Sequence, residues 1–203
     1  MTAADVVAIS LVAAPLCAAG LNLAPPRRVA LLLLFGVFAG SGASIALGQQ
    51  VRIGLGLLAT GGVACAILAI GFERAGWPRR GEGHGPVPGG RFFRAATVLF
   101  VAAAAWGVAA PSASATGALA ASRLTSAVMI LAMGLLQLGL SQEQGAAALG
   151  LLTALAGFEV FYTGLEPSLA LRAVLAAIML GIALVSSVLL EMPGGAGEGS
   201  RAG

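Results

Sequence analysis

An all-α polytopic transmembrane helix bundle of about seven spans, with its N-terminus outside and its C-terminus inside, is the fold this sequence predicts. Three observations predict it. The 203 residues are 59% hydrophobic and only 9% charged, with a mean hydropathy of +0.98, well outside the range of a soluble globular domain. The apolar residues gather into seven runs of spanning length. Between those runs fall most of the prolines, which break helices, and most of the arginines, which set topology.

About 20 apolar residues, in a range of roughly 17 to 25, carry a helix across the hydrocarbon core. Only helices or closed barrels satisfy their backbone polar groups there. The first run, Ala4 to Ala24, carries Asp5 and no Lys or Arg ahead of it. It therefore lacks the basic n-region of a secretory signal peptide and reads as the first span. Pro25-Pro26 ends it. Val29 to Gly48 follows Arg27 and Arg28, and Ile53 to Phe72 follows Arg52. A linker from Glu73 to Arg94, rich in Gly and Pro, then reads as flexible. The fourth run, Ala95 to Ala110, is the shortest and is bracketed by Arg94 and Pro111. The fifth, Gly117 to Leu140, holds Arg123 near its start. The sixth is Gly145 to Gly164 and the seventh Leu169 to Leu190, with Pro167 between them. The tail MPGGAGEGSRAG is too polar and Gly-rich to pack. The organisation expected is thus three helices in 1–72, a cytoplasmic linker in 73–94, four helices in 95–191 and a disordered tail in 192–203.

Arg74, Arg79, Arg80, Arg91 and Arg94 place the linker in the cytoplasm by the positive-inside rule. Arg27 and Arg28, two spans earlier, then fall on the same side. A net charge of +3 and a pI near 9.7 would suggest nucleic acid for a soluble chain, but these arginines sit in short loops between spans and read as topology signals. The expected partner is the lipid bilayer, not nucleic acid. Cys17 and Cys65 lie inside apolar runs without metal or redox spacing, and the single His84 sits in the Gly-rich stretch RRGEGHGPVPGG. No Walker pattern and no nucleophile with a positioned base can be assembled. Neither catalytic residues, a metal nor a cofactor is expected.

Small residues are frequent in the second and third runs, and the Gly36 to Gly40 spacing lets helix backbones approach closely. The remaining polar signal is the lone acid in GAAALGLLTALAGFEVFYTG. Glu159 lies roughly 6 to 8 Å beyond the middle of its span at about 1.5 Å rise per residue. A charge near mid-membrane costs roughly 2.5 to 3.5 kcal/mol on insertion scales, so such residues face a partner or a wet cavity and often serve proton or ion movement. Two readings of Glu159 stand: a proton-transfer group, or a neutral carboxyl hydrogen-bonded to a neighbouring helix. Tyr162, three residues on, is on its face as a hydrogen-bond partner. Glu166 and Arg172 flank the outer turn and suit an interfacial salt bridge, while Glu143 lies on the inner side.

From Gly134 to Leu190, GLLQLGLSQEQ leads into the acid-bearing helix, then a turn with Glu166-Pro167 and the last helix LALRAVLAAIMLGIALVSSVLL. This stretch, with the weaker VRIGLGLLATGGVACAILAIGFERA of Val51 to Ala75, resembles hydrogenase-4 component E, a seven-helix membrane subunit. The later part of that family is related to the K subunit of complex I and the C subunit of Mrp antiporters. The two stretches cover about two-fifths of the chain. Aligned on Gly134-Leu135-Leu136 and Ser141-Gln142, the family's acid would fall at Ala156, one helical turn inward of Glu159, and its third-helix lysine near Gly62. No basic residue occupies the interior of the third run. The resemblance implies a non-catalytic subunit of a complex I-like, hydrogenase-like or Mrp-like assembly in a bacterial plasma membrane. It would pack beside antiporter-like subunits and contribute to proton translocation. A small stand-alone transporter and a purely structural scaffold are the alternatives.

Overall fold

A computed structural model describes residues 3–23, 25–47, 51–74, 90–109, 118–141, 143–164 and 168–191. Most of the predicted linker (75–89) and the tail (192–203) lie outside the described residues. Within them the chain is helical throughout: α1 (Ala3–Asn22), α2 (Arg27–Ala46), α3 (Val51–Arg74), α4 (Gly90–Ala109), α5 (Ala118–Leu140), α6 (Gln144–Thr163) and α7 (Leu169–Glu191). Six of these, α2 to α7, are long and apolar enough to cross a membrane; the described side chains of α1 form a shorter apolar stretch, Val7–Asn22. The chain is a multi-pass membrane protein with an all-α fold.

The seven apolar runs correspond to the seven helices, with one instructive difference. α4 starts at Gly90, not Ala95, because Arg91 to Arg94 continue the helix beyond its apolar part. α1 continues through Pro15, since a spanning helix tolerates a proline when neighbouring groups re-satisfy the freed carbonyl. Pro26, by contrast, stands at the start of α2 in an extended conformation (φ −61°, ψ 150°) and serves as its N-cap.

Lipid tails are as apolar as leucine, so helices in a membrane associate by close packing and not by escaping water. Small residues carry that packing here. A Cβ on Gly36 would meet the Cys17 sulfur at 2.8 Å and one on Gly40 the Ala14 Cβ at 2.9 Å, so the Gly36 to Gly40 face is used against α1 within the chain. Gly42 of α2 faces the Gly54 carbonyl of α3 in the same way, and Gly71 of α3 faces Ser187 of α7. The most extensive contact is between α5 and α6. There a Cβ on Gly134 would clash with the Ala154 backbone, one on Gly150 would meet the Leu138 nitrogen at 2.8 Å, and one on Gly157 the Leu131 nitrogen at 2.5 Å. Around these contacts Leu34, Phe38, Leu57, Leu68, Phe72, Ile130, Leu152 and Met179 fill the core.

α6 stands at the centre, packed on α5, α7 and α2. α4 is peripheral: Val98, Ala105 and Ala109 form its buried stripe, while Phe92, Leu99, Phe100, Trp106 and Val108 are exposed apolar side chains that meet lipid. At one end of the bundle Arg27 Nη1 donates to the Phe72 carbonyl oxygen at 2.7 Å and Arg74 pairs with Glu191 at 3.3 Å. Those contacts gather the start of α2 and the ends of α3 and α7 at the arginine-bearing side, as alternating spans require. Cys17 and Cys65 are free thiols.

Gly157→Leu drives a side chain into the α5 backbone and is expected to lower stability by about 3 kcal/mol. Gly181→Ala, in open space on α7, is expected to be neutral or stabilising by up to about 1 kcal/mol. Thermal unfolding of both variants in detergent, followed by circular dichroism, checks the contrast.

Candidate functional site

The α5–α6 approach decides where the one membrane acid goes. Gly145, Ala148, Leu149, Leu152, Ala156 and Glu159 lie on buried faces of α6, and Glu159 is only 6% exposed. Ala156, one turn inward on the same face, is fully buried as well. The Glu159 carbonyl accepts a hydrogen bond from Thr163 Oγ1 at 2.6 Å, which ties down the last turn of α6.

Across from it, α7 buries the stripe Arg172, Leu175, Met179 and Ala183. The spacing is that of one helical face, and it carries a guanidinium into the bundle. Arg172 is 8% exposed, and its charge and that of Glu159 act on each other. They are not in direct contact, for Arg172 Nε, Nη1 and Nη2 are buried without a hydrogen-bond partner among the described residues. Burying opposite charges without full hydrogen bonding leaves much of the desolvation cost uncompensated.

Arg123 lies at the same end. α5 and α6 run antiparallel, with Gly157 beside Leu131 and Ala127, so Arg123 on α5, one turn outward of Ala127, stands near the level of the last turn of α6. Its Nε is also buried and unpartnered among the described residues. Three helices thus bring two guanidinium groups and one carboxyl to the outer end.

Of the residues expected to support Glu159, Tyr162 has its ring stacked on Phe158, with centroids 6.1 Å apart. Glu166 lies outside the described residues, and with it the expected Glu166–Arg172 bridge. Arg172 is instead the basic neighbour of Glu159. Glu143 is the N-cap residue of α6 at the inner end, where its carbonyl accepts from the Ala147 nitrogen at 3.0 Å. Also near the inner end, the Asn22 amide donates to the Ala18 and Met133 carbonyls at 3.1 Å each. The Asn22 Oδ1 and Gln137 Oε1 atoms there are buried and unpartnered among the described residues.

Sequence reasoning missed the pairing of Glu159 with Arg172 and the approach of Arg123. One signal was present: Glu159 and Arg172 stand nearly the same number of residues before and after the connection between α6 and α7, which is where antiparallel neighbours meet. Among the described residues no group of three His, Cys, Asp or Glu side chains forms a metal site. Compared with family models, curated proteins and solved structures, the chain matches none.

A buried pair fails unevenly when one partner is removed. Glu159→Leu takes the opposing charge from an arginine that cannot lose its proton and is expected to be the more costly single change, though below the cost of breaking a hydrogen-bonded buried pair. Arg172→Leu leaves a carboxyl that can be neutralised by protonation and is expected to cost less. The double variant is expected to recover most of the loss, as a double-mutant cycle of unfolding free energies in detergent would show.

Proposed function

We propose that this chain is a non-catalytic integral membrane subunit of a complex I-like, hydrogenase-like or Mrp-like proton-translocating assembly. It packs beside antiporter-like subunits in a bacterial plasma membrane. The observation that carries this reading is Glu159: a buried acid in an otherwise apolar spanning helix, set opposite a buried arginine. A relay requires one group that can both take up and give up a proton, and a carboxyl inside the bundle near a guanidinium is such a group.

The chemistry is a single step. Glu159 takes a proton from the outer side or gives one to it, while Arg172 stabilises the carboxylate between events. Thr163 and the glycine contacts to α5 hold the helix that carries the carboxyl. From Gly145 to Phe158, α6 offers no titratable side chain. A proton at Glu159 therefore needs another chain's groups to continue inward, and this favours a subunit over a self-sufficient carrier.

The layout also speaks against a stand-alone transporter. The described groove between α6 and α7, about 370 Å³, is lined by Leu151, Ile178, Gly181, Ile182, Val185 and Ser186 and is almost wholly apolar. Thr60 on α3, Asn22 and Gln137 near the inner end, and Glu159 near the outer end do not converge on it. The resemblance of Gly134 to Leu190 to hydrogenase-4 component E supports the choice of assembly. In that family's pattern a third-helix lysine accompanies the acid, whereas here Arg172 supplies the nearby positive charge from α7.

Purification from native membranes in mild detergent is expected to bring antiporter-like subunits with the chain. In that assembly Glu159→Gln is expected to abolish most proton pumping while leaving the subunits together. Unchanged pumping would reduce the chain to a scaffold, and recovery as a stable lone protein would contradict the subunit reading.

A further inference from the structure

Arg172 has more bonding capacity than this chain uses. A guanidinium presents five N–H donors and keeps its charge at every physiological pH. All three of its nitrogens are nevertheless buried and unpartnered among the described residues. A buried donor left unbonded has given up its bonds to water without replacement. The Glu159 carboxyl acts on this charge but does not occupy its donors, and Arg123 adds a second guanidinium with a buried, unpartnered Nε.

The charges around Glu159 can be taken helix by helix. α7 brings Arg172 and α5 brings Arg123, while α2 has Ser41 and Ser44 in its outer half and no charge there. α6 itself adds only the phenol of Tyr162. Among the described residues of α5, α6 and α7, two cations stand against one acid at this end, and against none when Glu159 is protonated.

We infer that the outer ends of α5, α6 and α7 form a binding site for an oxyanion of the phosphate class, seated on the fork of Arg172 with Arg123 beside it, and that Glu159 takes up a proton as the anion binds. The planar fork matches two oxygens of a phosphate at once, which a spherical halide cannot exploit. Arg172 lies three residues into α7, roughly 5 Å along the helix axis, so its backbone stands close to the level of lipid headgroups. The phosphate group can therefore belong to an anionic lipid or to a free anion. Coupling to the proton follows from competition: the Glu159 carboxylate and the incoming anion share one guanidinium, and a proton on Glu159 removes the repulsion. By reciprocity the bound anion favours that proton. The site uses this chain's own residues and needs no partner subunit, so anion binding by the isolated chain and pumping by the assembly fail separately.

The full chain, delipidated in neutral detergent, is titrated with phosphatidylglycerol and with phosphatidylcholine, with bound lipid read by native mass spectrometry. Inorganic phosphate is titrated in a parallel calorimetric arm. Phosphatidylglycerol is expected to bind about tenfold more tightly than phosphatidylcholine, the equivalent of one charge-assisted contact. Saturable binding of inorganic phosphate identifies a free anion as a ligand as well; its absence assigns the site to the lipid headgroup. Arg172→Gln is expected to lose about tenfold in affinity, with Arg172→Lys and Arg123→Gln in between. Helix content by circular dichroism confirms folding, and the lysine variant carries the test if the glutamine variant does not fold. Binding is expected to tighten as the pH is lowered, and in Glu159→Gln to be tight throughout. Equal binding of both lipids with no phosphate binding would overturn the site, as would wild-type affinity in Arg172→Gln or Arg172→Lys. A large gain on Glu166→Gln would show that Glu166 holds the guanidinium and would also overturn it. A pH dependence that survives Glu159→Gln would overturn the proton coupling.

Discussion

The close approach of α5 and α6 is the contact on which the rest of this structure depends. Gly134, Gly150 and Gly157 let the two backbones come within van der Waals distance over several turns. Without a hydrophobic effect to drive helices together in lipid, such contact is what fixes one helix against another. It holds α6 in the centre of the bundle and sets the depth of everything on it. Glu159 is buried because α6 is buried, and Arg172 is buried because α7 lays the Arg172, Leu175, Met179 face inward. The charges did not organise these helices; a buried ion pair contributes little net stability once its desolvation is counted. The glycines placed them, and the charges are tolerated for another reason.

That reason is local polarity at one end of an apolar bundle. The inner end ties its arginines into ordinary interfacial bonds, Arg27 to the Phe72 carbonyl and Arg74 to Glu191. The outer end does the opposite, bringing Arg123, Glu159 and Arg172 inward from three helices and leaving guanidinium donors unused. Between the two ends α6 carries nothing titratable. The proposed handling of a proton or an anion near one face, with neighbours providing passage across, rests on this asymmetry. α4 presents Phe92, Phe100 and Trp106 to the bilayer and takes no part in this cluster.

Hydropathy and arginine placement made the helices legible, because a spanning segment must be long, apolar and closed on its own hydrogen bonds. The ends were less so: Arg91 to Arg94 belong to α4 because a helix continues past the membrane surface without a hydropathy signal. The Gly36 to Gly40 motif was visible as a packing face, but only the structure assigns it to Cys17 and Ala14 of α1. Glu159 stood out as the sole acid of its run. Its neighbour did not, since Arg172 was read with Glu166 from proximity along the chain, whereas burial depends on which face of α7 turns inward. The stripe of Leu175, Met179 and Ala183 marked that face at helical spacing and was the clue to follow. The unpartnered donors of Arg123 and Arg172 left no sequence signal, because they depend on what three helices fail to offer one another.

The central claim is that Glu159 is a protonatable carboxyl inside the bundle under the influence of Arg172. Infrared difference spectra of the full chain in lipid bilayers, recorded as pH is lowered, test it directly. The account predicts a carboxyl C=O band that grows on acidification, is missing in Glu159→Gln and changes both its frequency and its titration midpoint in Arg172→Gln. A difference spectrum that Glu159→Gln leaves intact, or a Glu159 band indifferent to Arg172→Gln, would contradict it.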